Sequence, residues 1–476
     1  MQPYSSAFAS VLDALRPKRA TKYVENESDR TPRTAAIASL TGGIVEWFDY
    51  YIYANASALV LNVVFFPSFD AWAGTMLAFA TFAIGAFIRP LGGILFGHYG
   101  DRLGRKAMLV WSIGGMGIAT LLIGLLPGYA SIGIAAPVLL LILRAVQGIA
   151  FGGEWAGAIL VSIEHAPVHR KGFFGVFPQL GSPIGLFLST GVFAGLAFLP
   201  KETFIAWGWR VPFLVGAGIT LVGLLLRARL KETPEFAMLE DSDQIARHPI
   251  PEVFRTRKAR ILLGSGAIVA TTVAFFVQAV FVVGYATQFA GTPRQTALNA
   301  ILIAAVVQLI LLPIFAIWAD RIGALKVGLF GATLIGSMSY PFFWLVDTGH
   351  IVVACATGII GPSALFAALP AILAELFEPR LRFSGVALSF GLSGMVSGST
   401  PLIAASLFAW THTTWPISLF GLTMSVVSIC CLARSLAFRS PLGPMVARAA
   451  AQHESSAESS VPMSTRLRHR SVHNYL

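Results

Sequence analysis

The sequence contains little charge and little cysteine for its length. Charged residues make up 12% of its 476 positions, whereas hydrophobic residues make up 55%. With a mean hydropathy of +0.72, this composition excludes an ordinary soluble domain. Cys355, Cys430 and Cys431 have no paired spacing, which argues against a disulfide framework or a metal site. The sequence therefore predicts a membrane protein without a metal or a cofactor of its own.

Long apolar segments recur along the chain. An α-helix needs about 20 apolar residues to cross a bilayer core about 30 Å thick. We therefore predict an all-α membrane protein with twelve transmembrane helices. The predicted spans, numbered 1 to 12, are 36–62, 73–97, 107–127, 134–162, 172–197, 209–229, 260–289, 297–319, 325–345, 350–376, 384–409 and 415–437.

The distribution of basic residues predicts the orientation. Of 34 lysine and arginine residues, Lys201, Arg210 and Arg294 fall at one face and Arg89 and Arg144 fall inside spans. All others fall on the side of the termini, which the positive-inside rule assigns to the cytoplasm. We therefore interpret the net charge of +11 as basic residues that set the orientation and contact anionic lipid. No nucleic-acid partner is expected.

The chain repeats itself. Asp101-Arg102 and Gly104 in the loop after span 2 recur as Asp320-Arg321 and Gly323 after span 8, and Glu164 after span 4 is matched by Glu375 after span 10. Two parallel repeats of six helices are typical of transporters with a site between their halves. The predicted organisation is an N-terminal tail at 1–35, a first half at 36–229, a cytoplasmic loop at 230–259, a second half at 260–437 and a disordered cytoplasmic tail at 438–476.

Several stretches resemble one transporter family. The loop "GHYGDRLGRK" is similar to the loop signature of the major facilitator superfamily, and "EWFDYYIY", "LRAVQGIAFGGEWAGA", "WGWRVPF" and "LKETPEF" resemble its metabolite:proton symporter branch, with the first half closest to shikimate permeases. The resemblance implies the major facilitator fold and a carrier in the bacterial inner membrane. Known members of the branch carry carboxylates such as shikimate, 2-oxoglutarate and citrate, or betaine and proline.

Two acids stand in the middle of span 1. A carboxylate in the hydrocarbon region normally faces a cavity or a partner. Glu46, Asp49, Tyr50 and Tyr53 are spaced to share one helix face. The family resemblance implies that the acids meet Arg144 of span 4 in a central cavity. A structural ion pair is the alternative to proton coupling.

Span 4 supplies further candidates. Arg144 offers a planar fork for a carboxylate and Gln147 offers an amide for hydroxyl groups. Glu154 lies on another face and is assigned with Glu46 and Asp49 to proton coupling, with a structural role left open. The predicted substrate-binding residues are Tyr50, Tyr53, Arg144, Gln147, Gln278 and Tyr285.

The repeated loops predict a cytoplasmic gate. Asp101 can accept backbone hydrogen bonds at a helix N-terminus, and the resemblance implies that this is span 11, which begins near Arg382. A basic loop that only sets topology is the alternative. The predicted gate residues are Asp101, Arg102, Arg105, Glu164, Asp320, Arg321, Glu375 and Arg382, although Ala324 replaces the basic residue usual in the second loop.

Three functions remain open. The first is proton-coupled uptake of a small carboxylate by a monomer, with the proton as coupling ion and lipid as surroundings. The second is a proton-coupled carrier of betaine or proline, or an effluxer. A membrane-embedded enzyme or receptor is the third. It is disfavoured because no catalytic constellation and no sizeable soluble domain are visible, the longest internal loop having about 30 residues.

Overall fold

The computed structural model describes residues 32–68, 71–196, 198–230, 232–242, 244–246 and 249–436. Within these ranges all regular secondary structure is helical. Eleven helical segments are long and apolar enough to cross a membrane. The twelfth is span 1, a helix of 28 residues at Pro32–Leu59. Residues 1–31 of the predicted N-terminal tail at 1–35 and the whole predicted C-terminal tail at 438–476 lie outside the described residues, whereas residues 32–35 belong to the first helix.

The first six spans follow the predicted order, with two interruptions. A short helix at Leu61–Phe65 follows span 1, and span 5 is split after Gly175. The first half consists of Pro32–Leu59, Ala71–Leu103, Arg105–Leu125, Ala135–Glu164, Lys171–Gly175 with Phe177–Leu196, and Val211–Ala228.

The second half is built in the same way. Span 7 contains a π-helical turn at Val277–Phe281, and span 10 is split after Gly358. Its segments are Lys258–Phe276 with Val282–Gln288, Arg294–Ile322, Ala324–Asp347, Ile351–Gly358 with Ile360–Leu376, Arg382–Thr411 and Trp415–Ser435.

Short helices and turns complete the described chain. Two helices, Pro234–Asp241 and Pro249–Thr256, lie in the central loop between the halves. The remaining short segments are the helices Tyr129–Ile132 and Lys201–Ala206 and the turns Val168–Arg170, Gly208–Arg210 and Pro379–Leu381.

The glycine of each repeated loop separates two spans. Gly104 has a φ of 105° between spans 2 and 3, and Gly323 has a φ of 102° between spans 8 and 9. A residue with a side chain rarely adopts such a φ, whereas glycine does so readily. The repeated glycine therefore allows the sharp change of direction between consecutive helices. We call the end of the bundle that carries these two loops the basic end, which the charge distribution predicts to be cytoplasmic.

Glycines also let spans touch at the backbone. A Cβ atom on Gly152 of span 4 would collide with the carbonyl oxygen of Arg89 in span 2, and one on Gly148 would collide with that of Gly85. Across the halves, a Cβ on Gly391 of span 11 would lie 3.0 Å from Cα of Pro90. Such close approach is the packing role expected of small residues in membrane helices. The backbone at Arg89 and Pro90 is thus packed between span 4 on one side and span 11 on the other.

Span 1 lies inside the bundle. Ile52 and Tyr53 are fully buried, and Glu46 and Asp49 are 1% and 4% exposed. Because this helix is covered by protein, it can carry polar residues that a lipid-facing helix could not. Because of these polar residues, span 1 is less apolar than the other eleven membrane-spanning segments.

Candidate functional site

Asp49 and Arg144 are joined through Gln147. The amide nitrogen Nε2 of Gln147 donates to Oδ2 of Asp49 at 2.8 Å, and its oxygen Oε1 accepts from Nη1 of Arg144 at 2.8 Å. Thr120 of span 3 donates its hydroxyl to the other oxygen of Asp49. All four side chains are buried. The structure thus brings Asp49 and Arg144 into one network, and it gives Gln147 the role of a bridge instead of a cavity residue.

Aromatic rings hold Arg144 in place. Its Cζ lies 3.8 Å from the centre of the Tyr53 ring and 5.5 Å from that of Phe82. The hydroxyl of Tyr53 is 2.6 Å from that of Thr81. A guanidinium stacked on a ring and hydrogen-bonded to an amide is held firmly. Arg144 and Tyr53 therefore form part of the buried network behind the cavity, and neither is among the side chains that line it.

Glu46 belongs to a different group of charges. It interacts electrostatically with Arg89, Arg227 and Glu154, and its Oε1 has no hydrogen-bond partner among the described residues. Glu154 forms a buried ion pair with Arg227 and accepts a hydrogen bond from Ser112 at 2.6 Å. The expectation that Glu46 meets Arg144 together with Asp49 is thus corrected. Helix periodicity places Glu46 and Asp49 on one face of span 1. The helices packed against that face nevertheless present different arginines to the two acids.

A cavity lies between the two halves. It encloses about 530 Å³, including space open to solvent. Among the described lining residues, Arg89 is the only charged side chain. The other polar lining side chains are Ser182, Thr271, Thr272, Gln308 and Ser397, and the aromatic ones are Trp47, Phe275, Phe276, Phe366 and Phe390.

Arg89 reaches the cavity from span 2. Its Cζ lies 3.9 Å from the centre of the Phe151 ring and 5.3 Å from that of Tyr50. Tyr50 in turn packs against Phe276 of the cavity, with ring centres 6.0 Å apart. Arg89 falls inside a predicted span but is not among the predicted site residues. Its position within an apolar span was the signal that could have identified it.

Gln278 and Tyr285 lie away from this cavity. Gln278 lines a second pocket of about 420 Å³ among spans 7, 9, 10 and 12. The hydroxyl of Tyr285 donates to Asp347 at 2.5 Å, near the end of span 9 that is remote from the basic end. The structure therefore does not bring these two predicted substrate-binding residues to the other candidates. Gln308 and Thr271 of the second half occupy the cavity wall instead.

The basic end is closed by two equivalent contacts. Asp101 accepts hydrogen bonds from the backbone N–H groups of Phe383 at 3.2 Å and Ser384 at 2.9 Å. Asp320 accepts the corresponding bonds from Gly172 at 2.7 Å and Phe173 at 2.9 Å. Each repeated aspartate thus caps the first turn of a helix in the opposite half, where the backbone N–H groups carry partial positive charge.

Among the described residues, ion pairs within 4 Å surround the first of these caps, whereas Asp320 of the second interacts with His169 and Arg170 only at longer range. Arg105 lies 3.7 Å from Asp101 and 3.6 Å from Glu164, and Arg382 lies 3.3 Å from Glu164. Ala324 occupies the position in the second loop that matches Arg105. The two caps therefore have the same hydrogen bonds but different electrostatic support.

The central loop adds two acids that are not among the predicted gate residues. Glu232 accepts hydrogen bonds from the backbone of Arg105 and Lys106 at the start of span 3, at 3.0 Å and 3.3 Å. Glu235 pairs with Arg382 of the second half and lies 3.6 Å from Lys171 of the first. Both acids belong to the motif "LKETPEF", which resembles the family but contributes no predicted site residue. In the structure it bridges the halves at the basic end.

Three predicted gate residues are not part of this network. Arg102 is exposed, and its Nη1 is 3.4 Å from the ring nitrogen of His98. Arg321 and Glu375 are also exposed. In the second half it is Glu378, three residues after Glu375, that pairs with Arg257 at 2.5 Å.

Comparisons with known proteins agree with this architecture. Residues 34–260 match the family model "Sugar (and other) transporter". The chain is 36% identical over 418 residues to the inner membrane metabolite transport protein YhjE of Escherichia coli (85% of this chain, 94% of that protein) and 37% identical over 415 residues to the shikimate transporter of the same organism (85% and 93%). It is 32% identical over 397 residues to the proline/betaine transporter of Salmonella typhimurium (79% and 77%).

A solved structure shares the fold. The proton:xylose symporter XylE aligns with a TM-score of 0.67 at 17% identity, covering 86% of this chain and 94% of that one. The twelve-helix prediction is confirmed, and the relatives are transporters of the bacterial inner membrane and not enzymes. The chain belongs to the major facilitator superfamily, in its metabolite:proton symporter group.

Proposed function

We propose that the protein is a secondary active transporter that couples uptake of a small carboxylate metabolite to inward movement of protons. Shikimate, 2-oxoglutarate, citrate and related acids form the substrate class. The observation that carries this proposal is the guanidinium of Arg89 on the wall of the cavity between the halves. A cation in a largely apolar cavity attracts an anion strongly, and a guanidinium can bind a carboxylate through two parallel hydrogen bonds.

The opposite wall suits the rest of such a molecule. Gln308, Thr271 and Thr272 of the second half present amide and hydroxyl groups. These groups can hydrogen-bond ring hydroxyls or a second carboxyl group, while Phe390 and Trp47 provide apolar contact. A ligand held between Arg89 and these residues would touch both halves, as transport by alternating access requires.

Asp49 provides a site for the proton. It is buried behind the cavity and linked to Arg144 through Gln147. Protonation of Asp49 removes its negative charge and weakens the hydrogen bonds that it accepts from Thr120 and Gln147. Loading and release of a proton can thereby change the packing of spans 1, 3 and 4, which carry Asp49, Thr120 and Gln147.

Betaine or proline transport is the second candidate. Trp47, Phe275, Phe276 and Phe390 form an aromatic wall, and aromatic rings bind quaternary ammonium groups well. Betaine and proline also carry a carboxylate that Arg89 could bind, but the described lining of the cavity has no acidic side chain to pair with their cationic nitrogen. An anion without a cationic group is therefore favoured. A proton-antiport effluxer remains an alternative for the direction of transport.

Uptake by the purified protein in liposomes distinguishes these candidates. Labelled shikimate, 2-oxoglutarate, citrate, betaine and proline are offered with an inward proton gradient, with and without a protonophore. We expect accumulation of a carboxylate that the protonophore abolishes. Accumulation of betaine alone would favour the second candidate, and undiminished uptake with sodium as the only gradient would exclude proton coupling.

A further inference from the structure

Three hydroxyl groups on the second-half wall of the cavity already donate their hydrogens to the protein. Each donates to a backbone carbonyl oxygen at 3.1 Å, Thr271 to Pro362, Thr272 to Val269 and Ser397 to Ser393. A hydroxyl group has one hydrogen and two lone pairs, so each of these oxygens can still accept a hydrogen bond. A ligand can therefore bind them without breaking a bond within the protein only by donating to them.

Gln308 of span 8 is the amide on the same wall. It is 5% exposed, and it forms no hydrogen bond with the other described residues. A ligand hydroxyl suits this amide, because a hydroxyl can donate to Oε1 or accept from Nε2. The wall thus offers acceptors on four described side chains but a donor on Gln308 alone. It matches a ligand that presents hydroxyl groups to the second half.

The cavity has a counterion for one carboxylate. Arg89 is the only charged side chain among the described lining residues. Two other buried arginines are engaged outside the lining, Arg227 with Glu154 and Arg144 with Gln147. A second carboxylate in the cavity would be buried without a counterion, which is strongly unfavourable.

We propose that the substrate is a monocarboxylate that carries several hydroxyl groups, and that the site rejects dicarboxylates and tricarboxylates. The carboxylate binds Arg89 of the first half. The hydroxyl groups donate to Thr271, Thr272 and Ser397 of the second half and exchange hydrogen bonds with Gln308.

This substrate class rests on the proposed function and narrows it. A carboxylate oxygen and a keto oxygen accept hydrogen bonds but do not donate them. The keto group and second carboxylate of 2-oxoglutarate, and the two further carboxylates of citrate, therefore match neither the acceptors of the second-half wall nor the single positive charge. Among the acids considered above, shikimate has the required groups.

Calorimetric titration of the purified full chain in lipid nanodiscs tests the proposal at pH 7.5, where the carboxyl groups of the probes are ionised. Shikimate and gluconate are the hydroxylated monocarboxylates. Cyclohexene-1-carboxylate and hexanoate are their counterparts without hydroxyl groups, and 2-oxoglutarate and citrate carry further carboxylates. Heats measured with empty nanodiscs are subtracted, because the apolar probes enter lipid. We expect a hydroxylated monocarboxylate to bind at least about tenfold more tightly than its counterpart, 2-oxoglutarate or citrate.

Thr272→Val tests one acceptor, because it removes the hydroxyl and nearly keeps the shape of the side chain. Loss of one hydrogen bond should lower the affinity for the hydroxylated acid about two- to tenfold without lowering that for its counterpart. Thr287→Val is the matched control. Thr287 also lies in span 7 and donates to a backbone carbonyl oxygen, that of Val283 at 2.8 Å, but it does not line the cavity. This control should bind both probes as the wild type does.

The outcomes separate this proposal from the proposed function. If no carboxylate binds, the proposed function fails and the substrate class fails with it. If 2-oxoglutarate, citrate or a probe without hydroxyl groups binds as tightly as the better hydroxylated monocarboxylate, only the substrate class is refuted. An equal loss for both probes in Thr272→Val, or a loss for neither, would likewise refute it.

Discussion

Asp101 accepts a hydrogen bond from the backbone N–H of Ser384 at 2.9 Å, which joins the end of span 2 to the first turn of span 11 in the other half. The bond has a counterpart in the contact between Asp320 and Phe173 at 2.9 Å. Ser384 and Phe173 are separated by the same interval along the chain as Glu375 and Glu164. The internal repeat read from the sequence therefore has a direct structural equivalent at the closed basic end.

The first prediction concerns this closed end. Asp101→Asn removes the charge that interacts with the helix N-terminus and with Arg105, so it should favour opening at the basic end. A change of about 1.4 kcal/mol would shift the ratio of the two states tenfold. To measure opening, Ser397 in the cavity is replaced by cysteine in a variant that lacks Cys355, Cys430 and Cys431. A thiol reagent is then added from the side of the basic end, and Asp101→Asn should increase the labelling of the introduced cysteine.

Asp320→Asn is the matched control. Its hydrogen bonds are the same, but Ala324 stands where the first loop has Arg105, so its effect on labelling should be smaller. Equal effects of the two variants would mean that the ion-pair network contributes nothing to closure. Unchanged labelling in Asp101→Asn would show that the contact does not control access.

A second prediction separates two arginines. Arg89→Lys should weaken binding of a carboxylate substrate by about tenfold or more, because an ammonium cannot provide the planar fork of a guanidinium. Arg144→Lys should change the affinity much less, since Arg144 is directed to Gln147 and Tyr53 instead of the cavity. Equilibrium binding of labelled shikimate to both variants measures the two losses of affinity. A larger loss in Arg144→Lys than in Arg89→Lys would indicate that Arg144 binds the substrate.

A third prediction tests the network behind the cavity. Asp49→Asn and Gln147→Leu should abolish accumulation driven by a proton gradient, because the first removes the titrating group and the second breaks its link to Arg144. Exchange of labelled for unlabelled substrate should continue in both variants. Counterflow in liposomes without a gradient provides the measurement, and gradient-driven accumulation by Asp49→Asn would contradict it.

The fourth prediction concerns stability. Glu154→Gln leaves Arg227 buried without its ionic partner, which should lower the free energy of unfolding by about 3–5 kcal/mol. Replacing both residues by Glu154→Gln with Arg227→Met should recover most of this loss. Thermal unfolding in detergent measures both variants, and an unaltered melting temperature for Glu154→Gln alone would show that the pair is not needed for folding.

A fifth prediction uses the pH dependence of the central loop. Burial alone would raise the pKa of Glu235, but Arg382 and Lys171 hold this pKa below its usual value. The stabilisation that Glu235 provides is therefore present above the usual glutamate pKa of about 4.3 and is lost only as the pH falls through the lower folded-state value. Glu235→Gln should weaken closure of the basic end equally at pH 5.5 and pH 8. A pH-dependent effect of this variant in that range would contradict the assignment.

Much of the architecture could be predicted because the relevant signals are local. A span is recognised from the apolarity of its own residues, and the acids of span 1 and Arg144 stand out because charge is rare in such segments. The repeated aspartates were recognisable in the same way. Helix periodicity also placed Glu46 and Asp49 on one face, which the structure shows to be buried.

The tertiary structure decided which of these groups meet. Periodicity defines a helix face but not the helix that packs against it, so it could not reveal that Glu46 interacts with the charges of Glu154, Arg227 and Arg89 while Asp49 reaches Arg144 through Gln147. The sequence by itself determined a twelve-span membrane protein with charges at mid-membrane. The packing of distant spans alone determined that Arg89 lines the cavity, because that position depends on backbone contacts made by glycines in other helices.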